Sequence, residues 1–219
     1  MRRTSLFTPW FVVGMTLVMQ GATRKIDFSD DVVGQSPKGF EFGYTAKAGT
    51  PGKWVVQAEG GNKYLAQLDA DNTRSRFPVA VVSDLAASDI DVSVRLKPVS
   101  GRVDQAGGLV WRFQNQDNYY LVRANALENN VVLYKVENGK RTDLPVKGEG
   151  RTYGKKTGVP SGQWSTLRVV AAGPRFEVFF NGNKLYEVED TTFSKPGKVG
   201  VWTKADSITQ FDDLTVVTR

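Results

Sequence analysis

Apolar and polar positions alternate in short runs along most of the chain. Between 90 and 96 the alternation is complete: Ile90, Val92, Val94 and Leu96 fall on one side, Asp91, Ser93 and Arg95 on the other. A strand with one dry and one wet face reads this way. Past residue 25 no stretch keeps the 3.6-residue period for three turns. Period-two runs recur instead at 54–57, 64–68, 108–114, 119–125, 131–136, 164–172, 176–180, 184–188, 199–204 and 211–217, separated by clusters of Gly, Pro, Asn and Asp. Many short strands at this spacing predict an all-β domain, a sandwich or jelly roll of antiparallel sheets.

Turn chemistry registers two hairpins. Asn181-Gly182, between Phe180 and Asn183, is a strong signal for a type I′ turn, which needs two residues tolerant of positive φ. In WRFQNQDNYYLV the polar tip 115–118 separates two apolar arms and pairs Gln114 with Tyr119, Phe113 with Tyr120 and Arg112 with Leu121. That register puts Leu109, Trp111, Phe113, Tyr120, Val122 and Ala124 on a core face. Val110, Arg112, Gln114, Tyr119, Leu121, Arg123 and Asn125 then share the opposite face, and a slip of one residue would exchange the two sets.

The first 22 residues are of a different kind. Arg2 and Arg3 precede an apolar run, WFVVGMTLVM at 10–19, and Gly21-Ala22 offers small residues for cleavage. This predicts a secretory signal peptide over 1–22 and one domain over 23–219. The run is about ten residues, against roughly 20 for a membrane-spanning helix, so no stable membrane anchor is expected and the destination is periplasmic or extracellular. The chain carries a net charge of +6, lower by two once Arg2 and Arg3 are removed. Its densest basic group, KGEGRTYGKK at 147–156, lies in a Gly-rich loop; nucleic acid is not an expected partner.

With no histidine and no cysteine, a Ser-His-Asp triad, a Cys-His nucleophile, disulfides, and zinc held by thiolate or imidazole are all excluded. Chemistry is left to carboxylates, Lys, Arg, Tyr, backbone groups or an oxygen-bound metal. The polar face of the hairpin carries planar donors and acceptors: Arg112, Gln114, Tyr119, Arg123 and Asn125. In KVGVWTK at 198–204, pointing Val199, Val201 and Thr203 inward leaves Gly200, Trp202 and Lys204 outward. Trp202 is then either an exposed aromatic platform with a gap at Gly200, or part of a second small core under a loop. Sugars need this combination, because a pyranose offers a CH face to an aromatic ring and hydroxyls to amides and guanidinium groups. An oligosaccharide or polysaccharide is the expected partner, with Asp91 and Arg95 as further candidates on the alternating strand.

The block GGLVWRFQNQDNYYLVRANALENNVVLYKVENGKRTDL, followed by RFEVFFNGNKL, GKVGVWTKADS and FDDLTV, resembles the concanavalin A-like jelly-roll superfamily. Within it the chain is similar to exported bacterial domains grouped with the 3-keto-disaccharide hydrolases and described as laminin G-like or family 16 glycoside hydrolase-like. The resemblance runs from Ile26 to Val217 and implies a carbohydrate-binding sandwich, a hydrolase or lyase acting on 3-keto-disaccharides, or an adhesion module. The E-x-D-x-x-E strand of family 16 hydrolases is absent from the sequence, and no other carboxylate pair of the kind glycosidases use stands out. An elimination would have to draw its base and charge stabilisers from Asp91, Lys204, Tyr119 and the arginines. The resemblance also implies a structural calcium ion, which wants six to eight oxygens. Asp27 and Asp213, with Asp30, Asp31 and Asp212 nearby, are the candidate ligands, and turn or strand-start roles compete for the same residues.

Overall fold

The computed structural model describes residues 21–219; nearly all of the segment read as a signal peptide lies outside them. Sixteen strands make two eight-stranded antiparallel sheets. The back sheet runs β14 (Asn183–Glu189), β13 (Arg175–Phe180), β12 (Ser165–Ala172), β6 (Ile90–Ser100), β16 (Ile208–Thr218), β4 (Asn62–Gln67), β3 (Trp54–Glu59), and β1 (Thr23–Ile26) also pairs with β16. The front sheet runs β10 (Lys140–Asp143), β9 (Asn130–Glu137), β8 (Asn118–Asn125), β7 (Ala106–Asn115), β15 (Gly197–Thr203), β5 (Pro78–Ala87), β2 (Phe40–Tyr44), with β11 (Lys155–Lys156) added to β9. The expected jelly-roll sandwich is the observed architecture.

The main core lies between the sheets and takes the alternate residues of both. Ile90, Val92, Val94 and Leu96 enter it from the back, and Leu109, Trp111, Tyr120, Val122 and Ala124 from the front. A second cluster lies on the outer face of the front sheet, where Phe77, Val79, Val81, Val110, Tyr119, Leu121, Val132, Tyr134, Val136 and Trp202 are buried together. That outer face is therefore roofed over much of its extent. One cover is the turn after β2: Thr45 Oγ1 lies 2.7 Å from the Tyr119 hydroxyl, and the Ala46 amide donates to Asp117 Oδ1 at 2.6 Å. The other is Phe77, whose ring stacks on Trp202 with centroids 5.5 Å apart.

The Asn181-Gly182 turn forms as the sequence predicts, joining Phe180 to Asn183 with φ of +48° and +82°. The β7–β8 hairpin departs from its expected register. Asn115 pairs with Asn118, yet Trp111 pairs with Tyr120, so 112–114 oppose Tyr119 alone. Two extra residues are taken up in a bulge at Arg112, which adopts φ of +47°, a conformation that re-aims side chains next to a tip. The expected pairings of Phe113 with Tyr120 and Arg112 with Leu121 are thus corrected. Phe113 leaves the core face to pack on Tyr119, ring centroids 5.4 Å apart, while Arg112 turns toward the sandwich interior.

Candidate functional site

The bulge decides the fate of the first expected ligand. Arg112 is 2% exposed and donates to the carbonyls of Ser88, Phe193 and Gly173 at 2.8, 2.8 and 2.6 Å, with Asp89 beside it at 3.4 Å. Its guanidinium lies over the Phe176 ring at the end of the main core. It ties three loops together and does not face solvent.

Tyr119, Arg123, Asn125 and Trp202 do lie toward the outer side of the front sheet, and all four are buried. Tyr119 is sealed beneath Thr45, and burial raises its phenol above the ordinary value, with hydrogen bonds offsetting only part of that rise. Trp202, at 0% exposure, is not an open platform; the second-core alternative holds. Gly200 is not a gap, because a Cβ there would come within 2.1 Å of the Ala80 carbonyl oxygen. Arg123 binds Glu128 Oε2 at 2.7 Å and Asn130 Oδ1 at 2.9 Å. Burial would raise the Glu128 carboxyl, but the Arg123 hydrogen bond and charge outweigh it and hold it low. Asn125 Nδ2 donates to Asp104 Oδ1 at 2.7 Å, and the other oxygen of Asp104 takes Lys204 Nζ. These groups form a closed network whose polar atoms mostly satisfy one another.

Asp91 and Arg95 are on the other sheet, facing away from the first set. Asp91 is held in a two-point pair by Arg168, and Arg95 lies near Asp212 and Asp213 at 3.5 and 3.3 Å. Asp27 and Asp213 share a shallow depression with Lys25 and Lys63. Lys25 Nζ sits 2.8 Å from Asp213 Oδ1, and Lys63 Nζ donates to the carbonyls of Ser29 and Asp31 at 2.7 Å. Lys25 thus takes one oxygen of Asp213, Asp27 Oδ1 accepts the Ser29 amide at 3.2 Å, and no cluster of three acidic ligands occurs among the described residues. The calcium expectation does not fit this geometry.

Of the nine expected ligand contacts, Gln114 is the one that opens into a broad depression on the outer face of the front sheet. This hollow, about 680 Å³, lies at the β7–β8 tip and is lined by Phe42, Phe113, Gln114, Asn115, Gln116, Asp117, Asn118, Asn138 and the Glu41–Lys198 pair, among others. Glu41 and Lys198 are 2.5 Å apart, and Phe42 is 43% exposed. The bulge supplies Phe113 and Gln114 to this hollow; β2 supplies Phe42 and Glu41; the two front hairpin tips supply the amides. Phe42 pairs with core-facing Ala80, so its side chain turns toward the inter-sheet side and it borders the hollow from the strand edge; five side-chain amides beside the Phe113 ring give fixed donors and acceptors next to an apolar surface.

Reading 115–118 purely as a turn hid most of these residues, and β2 lacked alternation clear enough to be found. A second omission is Arg141 on β10. Its guanidinium stacks on Tyr134 at 4.5 Å and Phe77 at 4.7 Å, and its Nη1 is buried with no hydrogen-bond partner.

A family model described as a 3-keto-alpha-glucoside-1,2-lyase-like domain matches residues 40–217. No curated protein matches the chain. Among solved structures, the carbohydrate-binding module CBM66 from Bacillus subtilis superposes with a TM-score of 0.63 at 21% identity, over 82% of this chain and 96% of that one. Domain 4 of AbnA, a GH43 extracellular arabinanase from Geobacillus stearothermophilus solved with arabinotriose, gives 0.56 at 13% identity over 91% and 93%. A cellulose-induced protein gives 0.59 at 12% over 90% and 97%. At these identities the likeness is one of fold.

Proposed function

The chain belongs to the 3-keto-alpha-glucoside-1,2-lyase-like domain family, and on that premise we propose that it is a carbohydrate-binding jelly roll holding an oligosaccharide or the end of a polysaccharide in the depression at the β7–β8 tip. The observation that carries this reading is the lining itself, with the Phe113 ring beside Gln114, Asn115, Gln116, Asn118 and Asn138. Aromatic edges suit the CH face of a sugar and planar amides suit its hydroxyl rim. The name of CBM66 and the arabinotriose bound to the AbnA domain agree with this choice of ligand class. Binding is tested by calorimetry or affinity electrophoresis on a glycan panel with wild type, Phe113→Ala and Gln114→Ala. Retained binding in both variants removes the assignment.

The family description also supports an eliminative reading, in which a carboxylate takes a proton next to a sugar ketone. The depression holds two carboxylates, Glu41 and Asp117. Glu41 is paired to Lys198 and Asp117 Oδ1 accepts the Ala46 amide, so each already has a structural partner. Turnover of a 3-keto-disaccharide that is lost in Glu41→Gln or Asp117→Asn would favour the lyase; absence of turnover favours binding alone.

Export belongs to the same proposal. It rests on the Arg2-Arg3 start and the apolar run at 10–19; no helix among the described residues is long and apolar enough to cross a membrane. N-terminal sequencing of the protein from periplasm or medium should begin near residue 23.

A further inference from the structure

The outer face of the back sheet gathers a second aromatic corner. Alternation sends Leu65, Phe211, Leu96 and Leu167 into the core, so Tyr64 on β4, Gln210 on β16, and Arg95 and Lys97 on β6 project the other way. Trp164, one residue ahead of β12, shares that outward parity. The Arg95 guanidinium carbon and Lys97 Nζ lie 4.9 and 5.7 Å from the Trp164 ring centroid. The Tyr64 ring meets the indole edge-on, with centroids 6.0 Å apart and planes at 73°. Trp164, Tyr64, Arg95, Asn62 and Glu59 enclose a depression of about 360 Å³. Beside Tyr64, Gln210 Nε2 donates to the phenol hydroxyl at 3.3 Å, and Gln210 Oε1 is buried without a partner.

We propose that this corner is a second saccharide-contacting site, on the side of the sandwich opposite the β7–β8 depression. A single ring on a wet sheet surface is ordinary. Here the two rings meet edge-on at 73° and form a concave apolar corner, rimmed by an amide, a carboxylate and a guanidinium. That is the chemistry a pyranose or furanose needs: CH groups against the indole, hydroxyls to Asn62, Glu59 and Arg95. The cations beside Trp164 also restrict the indole before any ligand arrives, which lowers the ordering cost of binding. The Arg95 head group stays in place because Asp212 and Asp213 hold it.

Two sites on opposite faces cannot both be filled by one short oligosaccharide. The domain would therefore be bivalent toward polysaccharide, able to engage two chains or two loops of one, with avidity exceeding either site. The inference borrows only its ligand class from the proposed function.

The test is a titration of isotope-labelled wild-type protein with arabinotriose, maltotriose and cellotriose at ~10 mM, a concentration that populates sites with millimolar dissociation constants. The Trp164 indole NH and the amides of 95–97 report one site, the side-chain amides of Gln114 and Asn118 the other. Shifts in the Trp164 set with at least one sugar, abolished in Trp164→Ala or Trp164→Leu, are expected. Shifts confined to the Gln114 set overturn the second site and leave the first. Shifts confined to the Trp164 set support the second site and remove the first, and silence in both sets overturns both.

Discussion

Arg168 grips Asp91 at two points across adjoining strands, Nε to Oδ1 at 2.7 Å and Nη2 to Oδ2 at 2.6 Å. Both carboxylate oxygens are committed, and the hydrogen bonds that Arg168 donates to Asp91 raise its guanidinium above the ordinary value. A carboxylate so engaged has both oxygens turned to Arg168 and away from a ligand, although sequence alternation makes it the most conspicuous acid on an outer face. Asp91→Asn should leave glycan binding unchanged and cost about 1 kcal/mol, since the pair is bidentate but Arg168 is half in water. A binding isotherm beside a thermal melt checks both halves.

Arg112 gives the opposite outcome to the one its position in the sequence suggests. Because it is buried and donates to Ser88, Gly173 and Phe193, Arg112→Ala strands three carbonyls and opens a void over Phe176. The expected loss is roughly 3–5 kcal/mol, the range for breaking a buried charged network. Arg112→Lys should recover only part of it, because an ammonium cannot reproduce the fork. Denaturant unfolding of both variants would show the order wild type, lysine, alanine; equal stability of the three would remove the tie.

The same side chain shows where sequence reading stops. Alternation located the strands whose two faces differ, such as Ile90 to Leu96, and sorted Trp111, Tyr120 and Val122 correctly into the core. It missed β5, whose first residues, Pro78 to Val82, are buried on both faces, so no period of two is left to see. It also missed β10, four polar residues that earn strand status only by pairing with β9. The bulge at Arg112 carries no turn residue to announce it, and a two-residue surplus preserves parity beyond it while reversing Arg112 and Phe113 locally. Trp202 was placed on the correct face, but its cover comes from Phe77, far away in the chain, which no local pattern encodes. The candidate site was therefore legible as a face and not as a hollow: Gln114 was found, while Phe42 and Glu41 were not.

Lys63 bridges the carbonyls of Ser29 and Asp31, close to where the acidic residues 27–31 and 212–213 suggested a metal. Lys25 meanwhile raises its own pKa against Asp213 by hydrogen bond and charge. Adding calcium at millimolar level, or removing it with a chelator, should leave Tm unmoved. Lys63→Met should lower stability by about 1–2 kcal/mol, because two carbonyls lose a charged donor. A calcium-dependent rise of several degrees in the wild type would contradict this account.

Glu187 on β14 is surrounded by Lys147, Arg175 and Lys184 at 3.0, 2.8 and 3.4 Å. The Lys147 hydrogen bond is the largest influence, with Arg175 and Lys184 adding to it, and the carboxyl is lowered from 4.5 to about 2. A depressed pKa means that the folded state binds the proton less readily than the unfolded chain. The stabilisation is then complete above the ordinary value and fades as pH falls from there through the folded value. Wild type and Glu187→Gln should differ in Tm near neutrality, converge as acid approaches pH 2, and differ less in high salt. A gap independent of pH would assign the effect to shape.

Gly200 sits where β15 shifts register against both β5 and β7, the irregularity falling between Lys198 and Gly200 on each side. Its φ is ordinary for a strand, so backbone freedom is not what the position requires. What it requires is space: a Cβ would meet the Ala80 carbonyl oxygen at 2.1 Å and the Val81 Cα at 2.6 Å. Those atoms are backbone of a central strand, and they cannot move without disturbing the pairing that buries Trp202 against Phe77. Gly200→Ala is thus expected to destabilise by about 2 kcal/mol or more, beyond the ordinary cost of overpacking, despite alanine's better strand propensity. Because the cover over Trp202 loosens with it, the variant should show a red-shifted, more quenchable tryptophan emission before global unfolding. A melt and an emission spectrum matching wild type would show that β15 has room to spare.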